Sequence, residues 1–397
     1  MERTPQLSRV AQTMRPGVFA VLEARIAEAT ARGTRIVPLH IGDTCRPPPE
    51  GGRFSSALER GGDGPALYAY GATAGEPGLK AALARWVVER RGAPHVTAKN
   101  VALGVGGTHA LFCAARAILD PGDEVIMLSP YWPLAPGIFH ACGATLAEVS
   151  VSQRLYADPG FDVTAALRGA LGPRTKAIYF VSPNNPDGKV LGEGVLARIA
   201  DFAEEHDLWV FADEVYADIV YGAPSPSFGA IASARSRTVL VHSLSKSHAL
   251  AGARIGFVVA PEEVIAAALR FSTHTAFNVP LVCQRAAVGA IESGESWMRE
   301  SVAAYAKARG AVLERLERAG VATFAPEGGT YVFVDLAPAL GGRTMVALLE
   351  RAIDEGVLVA PGAAFGAGFE AFVRVCFTSV PEADVLEGVD RLLRAIG

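Results

Sequence analysis

The chain has no excess of either charge: 37 Lys and Arg stand against 41 Asp and Glu, a net charge of −4, and no block of like charges breaks the balance. Nucleic acid and anionic membrane surfaces are therefore not expected as partners, since both call for a basic patch. Cysteine is scarce as well. The five residues Cys45, Cys113, Cys142, Cys283 and Cys376 are odd in number and never form a Cys-x-x-Cys pair. That pattern argues against a disulfide framework and a structural metal site, and it fits reduced thiols in a cytoplasmic protein. The opening residues MERTPQLSRVAQTMRPG contain no apolar core of a secretion signal. One stretch, Val125 to Ala147, lacks Lys, Arg, Asp and Glu, but Pro130, Pro133 and Pro136 would each break a membrane-spanning helix. Internal repeats, low-complexity tracts and linkers are missing too.

What is present is a large apolar fraction. A length of 397 residues with 50% hydrophobic content allows a sizeable core and exceeds one compact domain, so two domains are expected. The segment LKAALARWVVERR (79–91) carries Leu79, Leu83, Trp86 and Val87 at helical spacing. Short apolar runs rich in β-branched and aromatic residues follow: EVIML (124–128), KAIYFV (176–181), LWVFAD (208–213) and TVLVHS (238–243). Helical segments such as GVLARIADFAEEHD (194–207) separate them. Continuous apolar strands alternating with helices predict an α/β fold, with a mainly parallel sheet flanked by helices.

Ligands of open parallel sheets bind beyond the carboxyl ends of the strands. The unusual residues gather at those ends: Tyr131 and Trp132 after the first run, PNNPDG (183–188) after the second, DEVY (213–216) closing the third, and SLSKSHALAGAR (243–254) after the fourth. Each cluster supplies a different chemical part. GVGGTHALFCAARAIL (104–119) is a glycine turn entering an apolar helix, whose free N–H groups can hold a phosphate, although Gly-Gly also serves as a plain turn. Arg254 and Ser243 can add a fixed charge and a hydroxyl. Trp132 can stack on a planar ring. Asp213, ending a buried strand, is costly unless paired, and a protonated ring nitrogen would pair it. Tyr216 and Asn185 can each donate to a ring oxygen. A phosphate cup, a stacking ring, an anion for a pyridinium and the amine of Lys246 together make the equipment of pyridoxal phosphate chemistry.

On these motifs the sequence resembles the class I/II aminotransferases of the aspartate aminotransferase fold type, from about Phe19 to the C-terminus. The resemblance implies that Lys246 is the Schiff-base lysine and general base, with Ser243, Arg254, Gly107 and Thr108 on the cofactor phosphate. It implies ring stacking by Trp132, ring-oxygen and substrate contacts by Asn185, and the ring-nitrogen and ring-oxygen partners Asp213 and Tyr216. Tyr70, in YGATAGEPGLKAAL, resembles the tyrosine that reaches the phosphate of a neighbouring subunit, so a homodimer with shared sites is implied. Gly42 in LHIGD and Arg374 in FVRVCF resemble the backbone contact and the guanidinium clamp of the substrate carboxylate. An arginine inside an apolar strand also has an independent reason to be paired, because an isolated buried charge is expensive.

The implied activity is transamination in two half-reactions between an L-amino acid and a 2-oxo acid. Carbon–sulfur β-lyases and other non-transaminating enzymes share the fold, and a ligand-sensing regulator would need an added DNA-binding segment, for which the residues before Gly42 leave no room. The expected division is a large domain over 45–290 and a small one from 1–44 plus 291–397. The N-terminal segment reads as one amphipathic helix, FAVLEARIAEATARG (19–33), and a strand. Two anchors for an acidic side chain found in aspartate-specific relatives are missing. Thr108 stands where one subgroup has lysine, and near Thr273 no arginine takes the place used by the other. Arg46 in GDTCRPPP is the one candidate replacement near the substrate.

Overall fold

In the computed structural model, which describes residues 5–14 and 22–397, the ordered strands begin with β1 (Val37–Pro38) and β2 (Val101–Val105). A run of strands follows: β3 (Glu124–Ser129), β4 (Thr145–Ser150), β5 (Thr175–Val181), β6 (Trp209–Asp213), β7 (Thr238–Ser243) and β8 (Ile255–Val259). The last group is β9 (Tyr331–Asp335), β10 (Val357–Leu358), β11 (Ala360–Pro361) and β12 (Phe372–Cys376).

Strands β2 to β8 form one sheet in the order β2-β8-β7-β6-β5-β3-β4. The pairs from β4 through β7 are parallel, and β8 runs antiparallel to both of its neighbours. The sequence-predicted runs become β3, β5, β6 and β7, and the helical segments become Pro77–Arg91 and Glu193–Glu205. Both sheet faces are buried, which is why these strands lack polar alternation. Val125, Met127, Ala177, Tyr179 and Phe211 enter one core, while Ile126, Leu128, Ile178, Phe180 and Val210 enter the other.

The first core continues into the small β9, β11 and β12 sheet through Val332, Val334, Val373 and Val375. One helix, Leu281–Arg318, ties the two regions together. At 1.5 Å per residue its 38 residues span roughly 57 Å. Ala287 and Ala290 pack on the large sheet, whereas Val312 and Leu316 pack with the C-terminal region. The expected division between residues 290 and 291 thus falls inside a continuous helix. Of the predicted N-terminal helix, residues 19–21 lie outside the described residues, and Glu23–Ala31 is helical. Among the described residues no helix is long and apolar enough to cross a membrane. The uncharged stretch 125–147 is divided between β3, the helix Ala135–Ala141 and the start of β4.

Candidate active site

Parallel strands end together, so β5, β6 and β7 deliver Val181, Asp213 and Ser243 to one rim. A cavity of about 320 Å³ opens there, close to where the strand order reverses between β3 and β5. Lys246, Asp213, Tyr216, Gly107, Thr108, Trp132, Asn185, Ser243, Arg254, Gly42 and Arg374, eleven positions drawn from separated motifs, all line it.

Local chemistry explains how each arrives. Ser243 caps a one-turn helix, Leu244–Ser247, by accepting from Ser245 N at 3.1 Å, and this turn presents Lys246. The Lys246 amine donates to the Gly42 carbonyl. The loop after β5 is fixed by Asn184, whose Nδ2 donates to Pro130 O at 2.9 Å and to Asp187 Oδ1 at 2.9 Å. Asn185 is thereby aimed at Arg374, accepting from its Nη1 at 2.8 Å. Segment 39–45 runs beside the end of β12, held by Cys376 N to Leu39 O at 2.8 Å and Thr378 Oγ1 to Asp43 O at 2.6 Å. That pairing sets Gly42 against the cavity.

At one end Arg254 has a left-handed backbone, φ 55°, and its guanidinium lies over the entry to the helix Gly106–Ile118. A Cβ on Gly106 would fall 2.4 Å from Arg254 Nη2, and one on Gly256 would fall 2.0 Å from Gly107 N. Only glycine allows this approach of helix, strand and guanidinium. Free N–H groups, the Ser243 and Ser245 hydroxyls and a fixed cation then form an anion cup.

Asp213 is 5% exposed and accepts from Tyr179 Oη at 3.1 Å and Val215 N at 3.2 Å. Burial pushes its carboxyl up to about 7, outweighing those two hydrogen bonds. Among the described residues no Lys, Arg or His makes an ion pair with it. Its protonated form is the one the folded chain favours, so stability is lost as pH climbs from about 4 through 7. At 1.36 kcal/mol per unit this amounts to about 4 kcal/mol. Cofactor-free Asp213→Asn should therefore gain melting temperature over wild type at pH 8 and much less at pH 5. A pH-independent difference would contradict the buried, unpaired carboxylate.

Arg374 is 7% exposed. Beyond Asn185, its Nη2 donates to His40 O at 2.7 Å, and its guanidinium faces the Tyr331 ring at 4.1 Å and the Phe365 ring at 5.0 Å. Its Nε is buried without a hydrogen-bond partner. An incoming carboxylate would satisfy that donor.

Two predicted positions are not brought to the cavity. Tyr70 is 86% exposed on the single chain and meets Phe277 edge-on at 4.9 Å. Arg46 lies 5.9 Å from the Trp297 ring centroid and 3.9 Å from Glu300, both on the helix Leu281–Arg318, and does not line the cavity. Residues that sequence reasoning missed include Tyr331, Ser245, Val181, Val215 and Leu111. Ser245 lay inside the SLSK motif. Tyr331, in the apolar run TYVFVD, carried no sign distinguishing it from a core aromatic.

A mainly parallel sheet with a lysine, an aspartate and an anion cup at one rim fits the aminotransferases of class I and II, and the model of that family matches residues 37–392. The chain belongs to this family and is an aminotransferase, moving an amino group between an amino acid and a 2-oxo acid. It is 33% identical to an aspartate/prephenate aminotransferase of Thermus thermophilus, over 98% of this chain and 99% of the relative. An LL-diaminopimelate aminotransferase of Dehalococcoides mccartyi is 28% identical, with 98% of each covered. Among solved structures, a single mutant of Thermus thermophilus aspartate aminotransferase superposes with a TM-score of 0.89 at 32% identity, covering 99% of this chain and all of that one.

The family uses pyridoxal phosphate, and the residues present fit that group. The buried Asp213 without a cation suits a protonated ring nitrogen, and the cradle of Gly106, Gly256 and Arg254 suits a phosphate.

Proposed function

We propose that this chain binds pyridoxal phosphate in the cavity and works as a transaminase preferring amino donors with neutral or apolar side chains. The observation that carries the cofactor reading is Asp213, a buried carboxylate raised to about 7 that a cationic ring nitrogen would stabilise as the anion. When bound, pyridoxal phosphate supplies the aldehyde carbon that takes the amino group and a ring that withdraws electrons from the substrate Cα.

The chain's own residues do the rest. Arg254, Ser243, Ser245, Gly107 and Thr108 hold the phosphate, and Asp213 keeps a proton on the ring nitrogen. Trp132 and Val215 line the cavity as apolar walls that hold the ring and exclude water. Tyr216 and Asn185 direct hydrogen bonds at the ring oxygen. Arg374 binds the substrate carboxylate, helped by the backbone at Gly42, and so presents the Cα–H bond to Lys246. With the cofactor bound, the amine of Lys246 would take that proton on Nζ and hold it for transfer, which requires its hydrogen bond to Gly42 O to open. Two copies of the chain pair so that Tyr70, idle on its own surface, meets the partner's phosphate. The functional division is a sheet domain over 45–290 and a smaller one from both ends. The scattered cysteines, four of them buried and all free, favour the reducing cytoplasm.

The donor preference follows from the cavity wall. Its only basic side chains among the described residues are Lys246, Arg254 and Arg374, each with another task. Thr108 brings no charge, and Arg46 is engaged with Trp297 and Glu300. Aspartate, though named for relatives of this chain, should therefore be a poor donor. A missing charge-assisted contact costs on the order of 2 to 4 kcal/mol, or tens- to hundreds-fold in kcat/KM. The measurement is kcat/KM for aspartate, glutamate, alanine, methionine and phenylalanine in wild type and Arg46→Ala. Aspartate leading by tenfold would reject the preference. A glutamate-selective loss in Arg46→Ala would return Arg46 to the substrate.

A further inference from the structure

Tyr331 stands where three parts of the cavity meet, and neither its motif nor the roles assigned above account for it. Its hydroxyl lies 2.7 Å from the hydroxyl of Tyr216. Its ring face carries the Arg374 guanidinium at 4.1 Å. The hydroxyl also presses on Gly42, where a Cβ would stand 1.8 Å from the Tyr331 oxygen. Gly42 in turn takes the Lys246 amine on its carbonyl. A packing aromatic needs none of these three relations.

The two hydroxyls have one proton each, and only one proton can lie between them. If Tyr216 donates, its proton is spent on Tyr331 and cannot face the cavity. If Tyr331 donates, the proton of Tyr216 is free to face the cavity. A hydroxyl that accepts one hydrogen bond also donates a stronger one.

We propose that Tyr331 is a positioning residue that joins the cofactor side of the cavity to the substrate side. Its hydroxyl fixes Tyr216 with the proton directed at the cofactor ring oxygen, and its ring fixes the Arg374 guanidinium for the substrate carboxylate. This rests on the reading of the cavity as a pyridoxal phosphate site.

The test uses the pyridoxal phosphate-loaded enzyme as wild type, Tyr331→Phe, Tyr216→Phe and the double variant. The primary readout is the pH midpoint of the visible absorption of the bound cofactor, with the pyridoxal phosphate Kd beside it. A weakened donor at the ring oxygen favours the protonated chromophore, so Tyr331→Phe should raise the midpoint by about half a unit to one unit, a three- to tenfold change in proton affinity. Because Tyr331 acts through Tyr216, the double variant should match Tyr216→Phe alone. Gly42→Ala, whose methyl displaces the Tyr331 hydroxyl, should reproduce the Tyr331→Phe shift. Tyr331→Leu, which also removes the ring face, should raise KM for the amino donor about three- to thirtyfold beyond Tyr331→Phe. An unmoved midpoint in a folded Tyr331→Phe, or shifts that simply add in the double variant, would overturn the role. A wild-type chain that takes up no pyridoxal phosphate would instead overturn the reading beneath it.

Discussion

Lys246→Ala is expected to hold pyridoxal phosphate only non-covalently and to lose transamination by more than any other single change in the cavity. Proton transfer by a positioned base is worth about 10² to 10⁴ in rate, and removing the amine abolishes covalent attachment as well. Among the described residues no second amine lines the cavity. The other basic side chains at the cavity are Arg254, over the helix entry, and Arg374, fixed by Asn185, His40 and Tyr331. Arginine does not give up its proton in a protein, so neither can take a proton from Cα. The check is single-turnover rate together with the visible spectrum. Near-wild-type turnover in the variant would remove Lys246 from the chemistry.

Arg374→Ala is the second large loss. A carboxylate bound by a fork of donors gains charge-assisted hydrogen bonds that a neutral wall cannot supply, and truncating one partner of such a buried pair costs about 2 to 5 kcal/mol. That converts to a fall in kcat/KM of about 30-fold to about 5,000-fold. The cofactor phosphate should be held as before, since Arg374 faces Asn185, His40 and two aromatic rings, away from the anion cup at Gly106. The discriminating measurement compares an amino acid with the matching amine that lacks the carboxylate. Wild type should prefer the amino acid strongly, and the variant should lose most of that preference. A preference that survives intact would place the carboxylate elsewhere.

How much could be seen in the sequence depended on the kind of signal. Strands β3, β5, β6 and β7 were legible because each is an apolar run bounded by turn residues and followed by an odd polar cluster. Strand β4, TLAEVS, was not, since as the edge of the sheet it keeps Glu148 and partly exposed positions that read as a loop. Strand β8, IGFVV, carries at its second position a glycine, Gly256, required by the approach of Gly107, and that glycine hid it. The helix Leu281–Arg318 was obscured by its own length, because its buried side changes from the large sheet to the C-terminal region along the way.

The cavity residues could be assembled because they sit at strand ends in separate motifs. Arg46 shows the limit of that reasoning. Chain proximity to Gly42 suggested the substrate, yet Glu300 and Trp297, which attract it, are more than 250 residues later in the chain (300 − 46 = 254 and 297 − 46 = 251). Tyr331 shows the converse: its hydroxyl partner and its cation come from other elements, and an aromatic in an apolar strand announces neither.

The most direct test of the chemistry follows one nitrogen atom. Pyridoxal phosphate-loaded wild-type protein would be given ¹⁵N-labelled alanine or methionine, then a second 2-oxo acid, and the label traced by NMR or mass spectrometry. The expected result is label in the new amino acid, one equivalent for each 2-oxo acid released from the donor, with none as free ammonium and none transferred by Lys246→Ala. Label appearing as ammonium, with no amino acid formed from the acceptor, would contradict transamination at this site.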